Sequence, residues 1–276
     1  MRRECLPADG FRSFLKYLTL PELSVLDLAI LNHEMRSQYL LALSGMIVKD
    51  LEILFTTKLL QWLLQRKMLV KNINKPFPGD LMQRLICRSQ QTLQSLTISS
   101  KLLPSLLLHF PNLSFFNLSN SRKIHQESFQ QFLLLNPKIE RLNLSNVSRL
   151  SLSTLENLQN LSDLDLSSNQ WITNETLQSL CETCLPLLAV NIRDTGIDNE
   201  DCIESFLSTH PNLHYFGFDS FKFQTLPPLI FRSVILNSLS SDCPKRQLLG
   251  LRNCFEIFSD GTSPFTSPHV MRTFLK

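Results

Sequence analysis

The stretch LSDLDLSSNQWITNETLQSLCETCLPLLAVNI, beginning at Leu161, contains Cys181-x-x-Cys184. Two thiolates at that spacing can hold a zinc ion or run thiol–disulfide exchange. A structural zinc needs two further ligands at sensible spacing, and the histidines, at 33, 109, 125, 210, 214 and 269, supply no such pair. The two sulfurs are therefore expected to fill space on an apolar helical stripe with Leu177 and Leu180. No Gly-x-Ser-x-Gly elbow, phosphate-binding loop or His-Glu-x-x-His is present. Asp163 and Asp165 stand two residues apart, on one face of a strand, and read as part of a recognition surface rather than acid–base machinery. The expectation is a chain without catalytic residues, metal or other cofactor.

The elements that carry these residues repeat. The frame Leu161, Leu164, Leu166, Asn169 recurs as Leu93, Leu96, Ile98; as Leu113, Phe116, Leu118; as Ile139, Leu142, Leu144; as Leu187, Val190, Ile192; and as Leu213, Phe216, Phe218. Successive first positions are 20, 26, 22, 26 and 26 residues apart, and a further turn is expected at Leu249 and Leu251, ending in Cys254. A short strand in each copy points its leucines inward and its alternate residues to solvent, and one copy buries its leucines only by stacking on the next. Helical spacing marks the return path: Leu177, Leu180 and Cys184, capped from Thr173 or Asn174; Phe129, Phe132 and Leu133; Cys202 and Phe206. Prolines in FPNL, NPKI and HPNL stop the returns.

This frame resembles the leucine-rich repeat, and the run through Cys184 resembles its cysteine-containing subtype. The resemblance implies an α/β solenoid over 93–254: a curved parallel β-sheet with outer helices, whose concave face binds a protein. Three columns of outward positions cross such a sheet. They read Ser95, Phe115, Arg141, Asp163, Ala189, Tyr215; then Thr97, Asn117, Asn143, Asp165, Asn191, Gly217; then Ser99, Ser119, Ser145, Ser167, Arg193, Asp219. From these the partner-binding face is expected to use Phe115, Asn117, Arg141, Asn143, Asp163, Asp165, Asn191, Arg193, Tyr215 and Asp219, with exposed aromatics and arginines supplying most of the affinity. Bacterial ligases built on such repeats carry a Cys-x-Asp nucleophile, and none of the seven cysteines here stands in that motif.

Residues 1–45 fall outside the repeat. They read as short helices broken at Pro21, with one apolar face from Phe11, Phe14, Leu15 and Leu18 and another from Leu23, Leu26 and Ile30. The order of Leu6, Pro7, Asp9, Phe14, Leu18, Leu23 and Leu26 resembles the F-box. That resemblance implies docking on a Skp-type adaptor, with a cullin beyond it, through Leu6, Pro7, Phe14, Leu18, Leu23 and Leu26. The alternative is a plain helical cap on the repeat stack. Residues 46–92 are expected to form a helical connector with Trp62 in its core and a degenerate capping repeat whose first strand holds Val70 and Ile73. Residues 255–276 form a tail with Ser263-Pro264 and Ser267-Pro268 as isolated modification motifs.

Composition narrows the function classes. An apolar content of 43% with 18% charged residues fills a core. Only seven glycines argues against nucleotide-binding loops, and a net charge of +3 with scattered Lys and Arg gives no nucleic-acid stripe. No apolar run reaches membrane-spanning length, and no secretory h-region follows Arg2 and Arg3. Seven cysteines then read as reduced thiols of a cytoplasmic or nuclear protein. Six Asn-x-Ser/Thr triplets, at Asn112, Asn117, Asn143, Asn146, Asn160 and Asn174, are read as polar residues flanking core leucines rather than as glycosylation sites.

Overall fold

A computed structural model describes residues 13, 15, 17–30, 33–51, 56–76, 79–183, 185–210, 212, 213, 215–219, 251 and 252. The chain forms two compact units, Met1–Leu93 and Gln94–Lys276.

Unit 1 contains α1 (Leu20–Ala29), α2 (His33–Leu43), β1 (Ile47–Leu51), α3 (Thr57–Gln65), β2 (Leu69–Ile73) and α4 (Asp80–Arg88). Pro21 breaks the chain by starting a helix: it sits in the first turn of α1, where its missing N–H has no intrahelical partner to lose. Thr19 caps that turn, its N–H donating to Glu22 Oε2 at 2.7 Å. β1 was not legible as a strand, because Ile47–Leu51 lacks the leucine frame. It pairs in parallel with β2, Val48 opposite Val70. Helices α3 and α4 bury Leu60, Leu63, Leu64 and Met82, Leu85, Ile86. Hydroxyls complete the backbone pairing of β2: Ser89 Oγ accepts from Val70 N at 3.0 Å, and Thr92 Oγ1 donates to Val70 O at 2.7 Å.

One buried carboxylate fastens the helices of residues 1–45 to α3. Asp27 is 2% exposed. Its Oδ2 accepts from Trp62 Nε1 at 2.8 Å and from Arg66 Nε and Nη2 at 2.9 and 2.7 Å. Arg36 Nη2 lies 3.4 Å from Oδ1, and Arg36 Nη1 donates to the Asp27 carbonyl at 2.6 Å. Trp62, expected as core filling, is thus half-buried and acts through its indole N–H. Nearby, Tyr39 is fully buried and donates to Leu23 O at 2.5 Å; burial pushes its phenol up to about 12.

Unit 2 is an α/β coil with leucine-rich repeat architecture. Its strands are β3 (Ser95–Thr97), β4 (Phe115–Asn117), β5 (Arg141–Asn143), β6 (Asp163–Asp165), β7 (Ala189–Asn191), β8 (Tyr215–Asp219) and β9 (Leu251–Arg252), each parallel to the next in chain order. Register is set by the frame: Leu96, Phe116, Leu142, Leu164, Val190 and Phe216 stand side by side, none more than 1% exposed. The return path depends on repeat length. The three 26-residue repeats return through α5 (Gln126–Leu135), α6 (Asn174–Glu182) and α7 (Glu200–Thr209). The 20- and 22-residue repeats lack room for a helix and return through single 3₁₀ turns, Leu103–Ser105 and Ser153–Asn157. Two of the helical returns carry large aromatics: Phe132 of α5 stacks on Phe116 at 4.3 Å, and Phe206 of α7 lies 5.7 Å from Phe216.

Candidate protein-binding surface

The residues alternating away from the core on β4 to β8 are those the sequence assigned to the concave face. The second column is a row of turns. Asn117 Oδ1 accepts from Ser119 N at 2.8 Å, Asn143 from Ser145 N at 2.9 Å, Asp165 from Ser167 N at 3.0 Å, and Asn191 from Arg193 N at 3.3 Å. A short Asn or Asp at the last strand position receives the N–H two residues on and turns the chain out of the sheet. The next corner is left-handed in each case, at Asn120, Asn146, Ser168 and Asp194, with φ between 50° and 61°. Asn117, Asn143, Asp165 and Asn191, expected as partner contacts, therefore build the turns.

Exposure on this face differs from expectation. Phe115, Asn143, Asp163, Asp165 and Asn191 are buried, while Asn117, Arg141, Arg193 and Tyr215 are half-exposed. Alternation along a strand fixes which face a residue shares, but side chains on adjacent strands, about 4.8 Å apart, cover one another laterally. Phe115 lies under Arg141, whose guanidinium carbon is 5.1 Å from the ring centroid. Asp163 stands between Arg141 and Ala189 in register. Burial pushes its carboxyl up to about 6, against a hydrogen bond from Ser162 Oγ at 3.1 Å and the attraction of Arg141. Asp165 is raised by burial too, opposed by hydrogen bonds from Ser167 and Asn191 and by Arg193. Gly217 is required by the crowding beside it: a methyl there would come 2.6 Å from Asn191 Oδ1 and 2.9 Å from the Tyr215 hydroxyl. β8 includes Asp219, whose side chain lies outside the described residues.

The expected adaptor residues divide similarly. Leu6, Pro7 and Phe14 lie outside the described residues. Leu18 and Leu26 are half-buried, and Leu23, at 1% exposure, is core of unit 1, so its side chain has nothing to present. The apolar surface lies elsewhere: Tyr17 and Leu28 are 78% exposed, and Val25, Met35, Leu41 and Ile47 are exposed as well. None of these six was among the expected adaptor residues. The available signal was that α1 carries leucine or valine on every side, more than one packing face can bury.

Cys181 is half-buried, not core; its Sγ donates to Leu177 O at 3.3 Å, one position off the buried pair Leu177 and Leu180. Cys202 is half-buried for the same reason, with Ile203 and Phe206 filling the core of α7. Cys184, Leu249, Cys254, Ser263 and Ser267 lie outside the described residues. Among the described residues no three His, Cys, Asp or Glu side chains are grouped as metal ligands, and no helix is long and apolar enough to cross a membrane.

No family model and no curated protein matches the chain. Among solved structures, a crystal structure of a TLR13–ssRNA13 complex aligns with a TM-score of 0.32 and 13% identity, over 66% of this chain and 34% of that one. The chain thus spans about a third of that protein's length.

Proposed function

We propose that the chain is a non-catalytic protein-binding module, and that it serves as the substrate-recognition subunit of a cullin-type ubiquitin ligase, with a Skp-type adaptor on unit 1. The observation carrying the first part is the coil itself: six register-matched strands, β3 to β8, whose outward side chains form one continuous surface with half-exposed Arg141, Arg193 and Tyr215. Arginine and tyrosine are the residue types that dominate interface energies. The adaptor assignment is supported by the F-box-like order of residues 6–26 and by the apolar residues that α1 leaves exposed, Val25 and Leu28 foremost.

A pull-down of the full chain with purified Skp adaptor tests it. Capture at micromolar concentration, lost in a Val25→Asp/Leu28→Asp variant that melts like the parent, is the expected result. No capture by the parent chain sinks the ligase assignment. The alternative, in which the N-terminal helices serve only as a cap, is favoured by the Asp27 network, which ties α1 and α2 to α3 as one body. Under that alternative, deleting residues 1–45 causes aggregation rather than selective loss of one partner.

A further inference from the structure

The sequence scatters Lys and Arg, but the coil gathers four of them. Lys101 follows β3, Arg122 and Lys123 follow β4, and Arg149 follows β5, and all four are exposed. Hydrogen bonds hold these three turns side by side. Ser100 N donates to Ser121 Oγ at 3.2 Å, Ser148 N donates to Ser121 O at 3.2 Å, and Ile124 N donates to Ser148 Oγ at 3.3 Å. Asn146 Nδ2 reaches Asn120 Oδ1 at 2.8 Å across the same corner. Neither 81–126 nor 141–155 contains an Asp or Glu. Among the described residues, none of the four cations stands in an ion pair with a carboxylate.

The fold does not need this charge. Arg122 and Lys123 stand just ahead of His125, the N-cap of α5, where the positive end of the helix dipole disfavours cations; Glu127 in the first turn answers that dipole, but the two cations do not. The corresponding approach to α7 carries the opposite sign, with Asp198 before the helix and Glu200 and Asp201 in its first turn. Carboxylates there are explained by helix capping; the cations before α5 are not.

We infer that the turns leaving β3, β4 and β5 form a docking strip for an acidic peptide segment of a partner protein, gripped by Lys101, Arg122, Lys123 and Arg149. The inference rests on the protein-binding reading and moves the charged contact from the concave face to the edge beside it. Adjacent turns follow the strand spacing of about 4.8 Å, so a peptide lying across them brings successive carboxylates within reach of successive cations, inside the Debye length of about 8 Å at physiological salt. A nucleic-acid strand is the weaker fit. The aromatic rings of these repeats, Phe110, Phe115 and Phe116, are buried and offer no base a stacking platform.

Fluorescence anisotropy with the full chain and a labelled octa-glutamate peptide tests the strip. Binding that weakens with salt, falls at least about tenfold in Arg122→Glu/Lys123→Glu, and persists in Arg141→Ala is the expected result. Lys101→Gln/Arg149→Gln is the second variant, since neutral exchanges at exposed turns leave the fold intact, and about a threefold loss is expected. Unchanged affinity in both variants overturns the proposal. So does a dT15 oligonucleotide binding at least tenfold more tightly than the peptide, and so does a salt-sensitive doubling of mass in sedimentation, which assigns the strip to a second copy. Partner capture by proximity labelling that survives Arg122→Glu/Lys123→Glu, beside unchanged peptide affinity, sinks the strip and leaves the protein-binding reading standing.

Discussion

Both units bury aspartates, and Asp27 and Asp163 are treated oppositely. Asp27 of unit 1 is met by two guanidinium groups and an indole N–H. Asp163 of unit 2 receives one serine hydroxyl, and burial outweighs the attraction of Arg141, leaving its carboxyl at about 6. A buried charge met by its own cations joins elements, whereas one without them is a standing cost that the surrounding coil absorbs. Asp27 is therefore architecture, and Asp163 is a residue that the fold of unit 2 tolerates.

Four experiments sharpen or break that contrast, from the largest effect down. Leu166→Ala sets the scale for unit 2: a fully buried spine leucine removed from between two neighbouring repeats should cost about 2–5 kcal/mol in urea unfolding. Arg66→Ala should cost about 3 kcal/mol, the low end for breaking a buried pair, because Arg36 and Trp62 still face Asp27. A loss below about 1 kcal/mol would mean that the network is ornament.

Asp163→Asn should act in the opposite direction, stabilising the protein at pH 7 by roughly 1–3 kcal/mol. The folded carboxyl titrates near 6, above its ordinary value of 3.8, so the folded state holds the proton more tightly. Wild-type stability attributable to Asp163 is then fully present below about pH 4, falls as pH rises to about 6, and is flat above it. The advantage of the variant should grow over the same window. His210, whose imidazole is lowered by burial, loses stability toward acid, but it is common to both proteins and cancels in the difference. Equal melting curves for the two proteins at pH 4 and pH 7 would show that the carboxylate is better solvated than its 7% exposure implies.

The smallest effect belongs to Asp165. Asp165→Ala removes the acceptor for Ser167 N and Oγ and should cost roughly 1 kcal/mol, whereas Asp165→Asn keeps the turn, as Asn117, Asn143 and Asn191 do, and, because burial raises this carboxyl too, should cost nothing and stabilise slightly at neutral pH. Chemical denaturation resolves the pair; equal losses would remove the turn as the reason for this column.

Much of this was legible because the leucine frame repeats. The frame placed Leu164 and Leu166 in the core and the aspartates on the opposite face, with β3 to β8 in order. The lengths of the repeats also held their return paths, since a step of 20 or 22 residues leaves no space for a helix after its strand and turn. Lateral cover was not legible, because alternation describes one strand at a time and Phe115 is hidden by Arg141 from the next. The Asp27 network was equally out of reach: its partners lie 9, 35 and 39 residues away, beyond any local period. Residues 47–51 form a strand only because β2 lies alongside them.

The uneven repeat lengths carry a consequence for how unit 2 folds. From β3 to β8, every strand pairs with one a single repeat away, so closing each new turn costs nearly the same loop entropy and no long-range search is required. Growth from one repeat to the next is then the natural route, and the starting points are unequal. Repeats that return through α5 and α7 bring Phe132 and Phe206 against Phe116 and Phe216, while the repeat closed by Ser153–Asn157 buries only aliphatic side chains and the one closed by Leu103–Ser105 adds Phe110 to the first aromatic group. Folding should therefore nucleate at two separate places, around Phe116 and around Phe216, and the intervening stretch should be the last to zip.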